Sequence, residues 1–175
     1  EYLACREGKI SFDVYVNIFN DNYLKPSSIL IRLSPKQYAN LFERSALFTV
    51  EPGLFEILQQ LKQKYQLKIL SDQYARGSDW SETDVVTDQI NRYYPGIFSE
   101  EDHIRSCITG HTKDDSEAFD IALAQIGLGA EEVVFVDDVP EFTQRARNKG
   151  MITTTVNTAE VGLKDNFLLN ELLTG

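Results

Sequence analysis

What most restricts this chain is an alternation: short apolar runs, each stopped by an acidic or hydroxyl residue, separated by longer segments of helical period. Lys9-Ile10-Ser11-Phe12 stops at Asp13 and Leu67-Lys68-Ile69-Leu70 stops at Ser71-Asp72. Val133-Val134-Phe135-Val136 stops at Asp137-Asp138; Ile152 to Val156 forms a further run and Ile104 to Thr109 a weaker one. Short β-branched runs bounded by polar residues read as buried parallel strands. Between them, Pro52 opens a stripe of Leu54, Ile57, Leu58, Leu61 and Tyr65 at helical spacing. Ser81 with Asp84 heads a second helix that stops at Pro95-Gly96, and Asp114 with Glu117 heads a third, closed by Gly127. A fourth runs from Pro140 to Lys149 and ends at Gly150, while Leu163 to Leu172 marks a last apolar helix. Strand alternating with helix predicts an open α/β domain with a parallel sheet covered on both faces.

Residues 20–51 interrupt that alternation and are read as a small cap inserted after the first strand, leaving 1–19 and 52–175 as the core. Composition narrows the partners. The 175 residues carry 27 acidic against 17 basic side chains, a formal charge of −10. Such a field repels phosphate backbones, so neither nucleic acid nor an anionic membrane is an expected partner. The apolar runs fall far short of the roughly 20 residues needed to cross a bilayer. Cys5 and Cys107 stand without metal-ligand spacing and read as free thiols of a reducing, cytoplasmic setting. The chain opens at Glu1 rather than Met, so residues ahead of it are expected to have been removed.

In open α/β sheets, ligands gather at the carboxyl ends of the strands. The residues that follow the runs are therefore the candidate site: Asp13, Ser71, Lys113, Asp137 and Asp138. Three carboxylates suit a hard cation such as Mg²⁺, and a lysine with a hydroxyl suits the oxygens of a phosphoryl group.

At this point the sequence resembles the haloacid dehalogenase-like (HAD) hydrolases. Glu132 to Gly150, a hydrophobic strand with an acidic pair, a helix and a glycine, is similar to the fourth motif of that superfamily. His111 to Phe119 around Lys113 is similar to the third, Leu67 to Ser71 to the second, and Ile10 to Phe19 to the first. The resemblance implies a three-layer, HAD-like Rossmannoid sheet with a small cap. It implies Asp13 as the nucleophile, Ser71 and Lys113 holding the transferred group, and Mg²⁺ on Asp13, Asp137 and Asp138. Tyr15, Asn17, Asp72 and Arg76 are placed as substrate contacts. The expected reaction is Mg²⁺-dependent hydrolysis of a small phosphate ester through an aspartyl-phosphate, by a monomer or homodimer.

The first motif departs from that pattern. Tyr15 occupies the position of the second Asp of HAD phosphatases, and Val16-Asn17 replaces Gly-Thr. Losing a positioned general acid costs about 10²–10⁴ in rate. Phe142 stands where the fourth motif often carries a further acid or Asn. Two alternatives therefore accompany the phosphatase reading: a catalytically impaired HAD-like binding protein and, next, a 2-haloacid dehalogenase. No Gly-x-Ser-x-Gly elbow, Walker loop, dinucleotide fingerprint or His-Glu-x-x-His motif is present.

Overall fold

The structure, a computed structural model, describes residues 1–27, 32–35, 37–38, 53–73, 85–156 and 167–174. The chain starts with two helices, α1 (Tyr2–Arg6) and α2 (Phe12–Phe19), and a π-helical turn at Asn20–Leu24. It continues through α3 (Leu54–Lys62), β1 (Ile69–Ser71), α4 (Val85–Tyr93), β2 (His103–Arg105) and the short α5 (Ser106–Thr109). It ends with α6 (Glu117–Ile126), β3 (Val134–Asp137), α7 (Pro140–Asn148), β4 (Ile152–Thr155) and α8 (Phe167–Thr174).

Every described strand is parallel. β1 pairs with β2, Ile69 opposite His103, and β3 pairs with β4, Val134 opposite Ile152. The strands form two separate pairs rather than one continuous sheet among the described residues. Both pairs nevertheless rest on the same helices. Phe119 of α6, Ala146 of α7 and Met151 make a buried cluster that receives Leu70 from β1 and Phe135 from β3. Strand side chains alternate between faces, and a second cluster collects other residues: Ile57 and Leu61 of α3, Val156, Leu67, and Leu172 and Leu173 of α8. This is an α/β arrangement of parallel strands and helices, as the alternation of runs predicts.

The helix signals translate directly. The i, i+3, i+4 stripe beyond Pro52 becomes α3, with Ile57 and Leu61 buried. Gly127 closes α6 in the left-handed region at φ 75°, where its N–H bonds back to the Leu123 carbonyl; a side chain there would strain the turn. Pro140 sits in the first turn of α7, where its missing N–H costs nothing. The capping pair Ser81 and Asp84 lies outside the described residues. The weak run at Ile104 divides into β2 and α5.

One element differs in kind. The expected first strand ending at Asp13 is instead the start of a helix. Ser11 caps α2, its hydroxyl accepting from the Val14 N–H at 3.3 Å. Phe12, Tyr15, Val16 and Phe19, spaced by three and four, turn one face inward. That face packs on Cys5, Tyr38 and Leu33 as a cluster of its own, with the Phe12, Tyr15 and Phe19 rings edge-on to Tyr38. Asn20 ties Leu33 to this cluster, its side chain accepting from the Leu33 N–H and donating to the Leu33 carbonyl, both at 2.8 Å. A helix that satisfies its own backbone while burying Phe12 and Val16 and packing Tyr15 and Phe19 outcompetes a four-residue strand.

Candidate active site at the strand ends

Lys113 organises the carboxyl rim. Its backbone N–H donates to Asp72 Oδ1 at 2.8 Å, just past the end of β1. Its ammonium reaches Asp137 Oδ2, at the end of β3, at 2.6 Å. One residue thus ties together the ends of the two strand pairs. The ion pair is sheltered, with side-chain exposures of 14% for Lys113 and 8% for Asp137. Asp137 Oδ1 accepts from the Val139 N–H at 2.9 Å, which fixes the carboxylate at the turn into α7. The Phe142 ring lies 4.8 Å from the Lys113 ammonium, and the Arg145 guanidinium flanks the same ring at 5.7 Å. Phe142 is therefore a platform for the cation, a role that its place in the α7 sequence does not signal.

Ser71 ends β1, and its hydroxyl accepts from the Gln73 amide at 2.7 Å. Gln73 is buried and also bonds Ser106, its N–H donating to the Ser106 hydroxyl at 2.9 Å. Asp72 is placed differently from expectation. Its side chain is 5% exposed, and while Oδ1 holds Lys113, Oδ2 pairs with Arg6 at 2.8 Å. With one oxygen on the Lys113 N–H and the other facing the Arg6 guanidinium, Asp72 positions Lys113 and anchors α1. Arg6 carries no sequence signal beyond being a cation in the last turn of a short helix.

The first-motif residues stand on helix α2 instead of at a strand end. Asp13 is exposed in the first turn of α2, outside any described strand. Tyr15 is part of the α2 cluster: its hydroxyl is 3.0 Å from that of Tyr38, and burial, then that hydrogen bond, push its ionisation far above the usual phenol range. Asn17 accepts from Arg32 at 2.9 Å, and Arg32 also pairs with Asp21. Arg76, like Tyr74 and Trp80, lies outside the described residues. Of the three carboxylates expected to hold Mg²⁺, Asp13 stands on α2, Asp137 at the end of β3 is engaged by Lys113, and Asp138 is exposed beside it.

Beside this rim, His111 Nδ1 lies 2.7 Å from Asp115 Oδ2 and 3.9 Å from Glu117 Oε2. The Asp115 hydrogen bond raises the imidazole above its ordinary range, and Asp115 is in turn lowered, first by the Glu117 N–H. Cys5 and Cys107 are buried free thiols, and burial pushes Cys5 up to about 11.

No known protein-family profile matches the chain. Solved structures do match it. A predicted HAD-like family hydrolase from Porphyromonas gingivalis superposes with a TM-score of 0.75 at 20% identity, over 99% of this chain and 78% of its own. The HAD family enzyme bt-2542 from Bacteroides thetaiotaomicron matches twice in complex with magnesium and inorganic phosphate. Its aspartate-to-alanine variant gives a TM-score of 0.69 and the wild type 0.67, each at 20% identity over 91% of this chain and 76% of theirs. The chain therefore shares the fold of these HAD-family structures, as its resemblance in the third and fourth motifs implies.

Proposed function

We propose that the rim around Lys113 is the phosphate- and Mg²⁺-handling side of a HAD-type phosphatase site, acting on a small phosphate ester. The observation that carries this reading is Lys113 itself, held by its own backbone to Asp72 and by its ammonium to Asp137. A sheltered lysine tied to two strand ends is a preorganised donor for phosphoryl oxygens, and Ser71 adds a hydroxyl at the end of β1. The neighbours crystallised with magnesium and phosphate support the same chemistry. Asp137 and Asp138 supply two adjoining carboxylates that fit a hard cation, without the third ligand expected from Asp13. Mg²⁺ held there would neutralise phosphoryl oxygen charge. Lys113 would then exchange its hold on Asp137 for the bound anion.

Asp13 is not the nucleophile in this reading. Its exposed place on α2 favours a second reading, a HAD-like protein that binds the anion without turning it over. Turnover of p-nitrophenyl phosphate in Mg²⁺ separates the two. The phosphatase reading expects Asp13→Asn to match the wild type and Lys113→Met to lose activity. Activity that vanishes in Asp13→Asn and survives in Lys113→Met would overturn it. Absence of turnover in all three selects the binding protein. The cap at 20–51, a cytoplasmic location and a monomeric or homodimeric state remain part of the proposal.

A further inference from the structure

Each strand pair presents an edge without a strand neighbour among the described residues. The Ile152 N–H donates to the Val133 carbonyl and the Val156 N–H to the Asp137 carbonyl, each at 3.0 Å. Backbone groups alternate sides along a strand, so Val133, Phe135 and Asp137 address β4, while Val134 and Val136 address the opposite side. On β1, Gln73 turns its N–H and carbonyl to the Ser106 hydroxyl after β2, at 2.9 and 3.0 Å. By the same alternation Leu70 and Asp72 address the side away from β2. Neither edge has a strand partner among the described residues. Val136, within a continuous β-branched run, is 38% exposed, although strands of parallel sheets are ordinarily buried on both faces.

The spacing fits one strand. Leu70 and Phe135 pack on the same Phe119–Ala146–Met151 cluster, so the pairs share a helix layer. Lys113 spans their ends with its backbone on Asp72 and its ammonium on Asp137. Strands flanking one missing neighbour lie roughly 9–10 Å apart, twice the usual interstrand distance, a gap that an extended lysine with a carboxylate at either end can bridge.

We propose that the space between β1 and β3 is the seat of one further parallel strand, supplied by polypeptide of this protein outside residues 1–175. The solved neighbours, matched over 91–99% of this chain, are matched over only 76–78% of their own, so the fold they share has parts without a counterpart here. The occupant is about four residues long, set by Val134–Asp137. It is apolar on both faces, because Phe119 and Ala146 lie on one side and helix α3, with Ile57 and Leu61, on the other. The inference rests on sheet edges, packing and the neighbours' length, and stands or falls separately from the phosphate reading.

Residue-resolved amide hydrogen exchange on the 175-residue chain, with its mass in solution, tests it. In the monomer, Leu70, Asp72, Val134 and Val136 should exchange about two orders of magnitude faster than Phe135 and Thr154. Fusing Lys-Val-Ile-Val-Val-Asn-Gly-Ser-Gly-Ser ahead of Glu1 should slow those four amides at least tenfold. The same fusion with the isoleucine replaced by proline, which cannot donate to a ladder, should not. Protection of the four amides in the unfused monomer would overturn the proposal, because a segment of the chain itself would then fill the gap. Protection that appears only in a dimer would overturn it in favour of a second copy. Equal exchange in the two fusions would overturn it outright.

Discussion

Replacing Lys113 by Met probes the tie between the strand pairs most sharply. The substitution keeps the aliphatic stem and removes the ammonium that sits 2.6 Å from Asp137. Exposed ion pairs contribute about 0.2–1 kcal/mol, whereas removing one member of a buried pair costs about 3–5 kcal/mol. Exposures of 14% and 8% put this pair near the buried limit, but Asp137 keeps its bond from Val139 at 2.9 Å. The expected cost is therefore about 2–3 kcal/mol, part of it from the attraction between the ammonium and the Phe142 ring. In a domain of this size that lowers Tm by about 4–10 °C. Asp137→Asn alone should also destabilise, and the double variant should recover about 1–2 kcal/mol relative to the sum. Urea denaturation of the four proteins measures the cycle. A single-variant cost below about 0.5 kcal/mol, or zero coupling, would show that Lys113 is solvated and not the organiser of the rim.

Other expectations follow from individual contacts. Ser11→Ala should destabilise by about 0.5–1 kcal/mol through loss of the α2 cap, read by urea denaturation; no change would argue against a helix starting at Phe12. Asp102 is raised by burial but held down to about 2 overall by Lys68 and Ser99. A depressed carboxylate adds stability above its unfolded pKa and loses it as pH falls through the folded one. Stability should thus drop by on the order of 2 kcal/mol between about pH 4 and 2, and Lys68→Met should flatten that slope. His111 is raised, so its contribution is full below the ordinary imidazole range and fades as pH rises through the folded value. Its proton NMR titration should move down in Asp115→Asn, and an unmoved midpoint would remove Asp115 as the cause.

The later half of the fold is legible in the sequence for a physical reason. Val134–Asp137 is valine- and phenylalanine-rich, Ile152–Thr155 is β-branched throughout, and α6 and α7 carry a closing glycine and an opening proline, so local preference and fold agree there. Ser71 and Asp137 stand out because each directly follows a run, and Lys113 because it lies shortly after one. At Phe12 the two signals conflict. A short apolar run ending in Asp favours a strand, while Phe12, Tyr15, Val16 and Phe19 carry the helical period that α2 buries. The longer window identifies the helix and puts Asp13 and Tyr15 on α2. Asp72 misleads in another way: only tertiary contacts show one oxygen on the Lys113 N–H and the other facing Arg6. Nothing in the local sequence announces Phe142 beneath the lysine.

The proposal that Lys113, and not Asp13, stands at the heart of an anion-handling rim is tested most directly by calorimetric titration of inorganic phosphate in the presence of Mg²⁺. Phosphate should bind the wild type and Asp13→Asn with matching affinity and give no detectable heat with Lys113→Met. Phosphate that binds Lys113→Met as tightly as the wild type, or that needs the Asp13 carboxylate, would contradict this assignment.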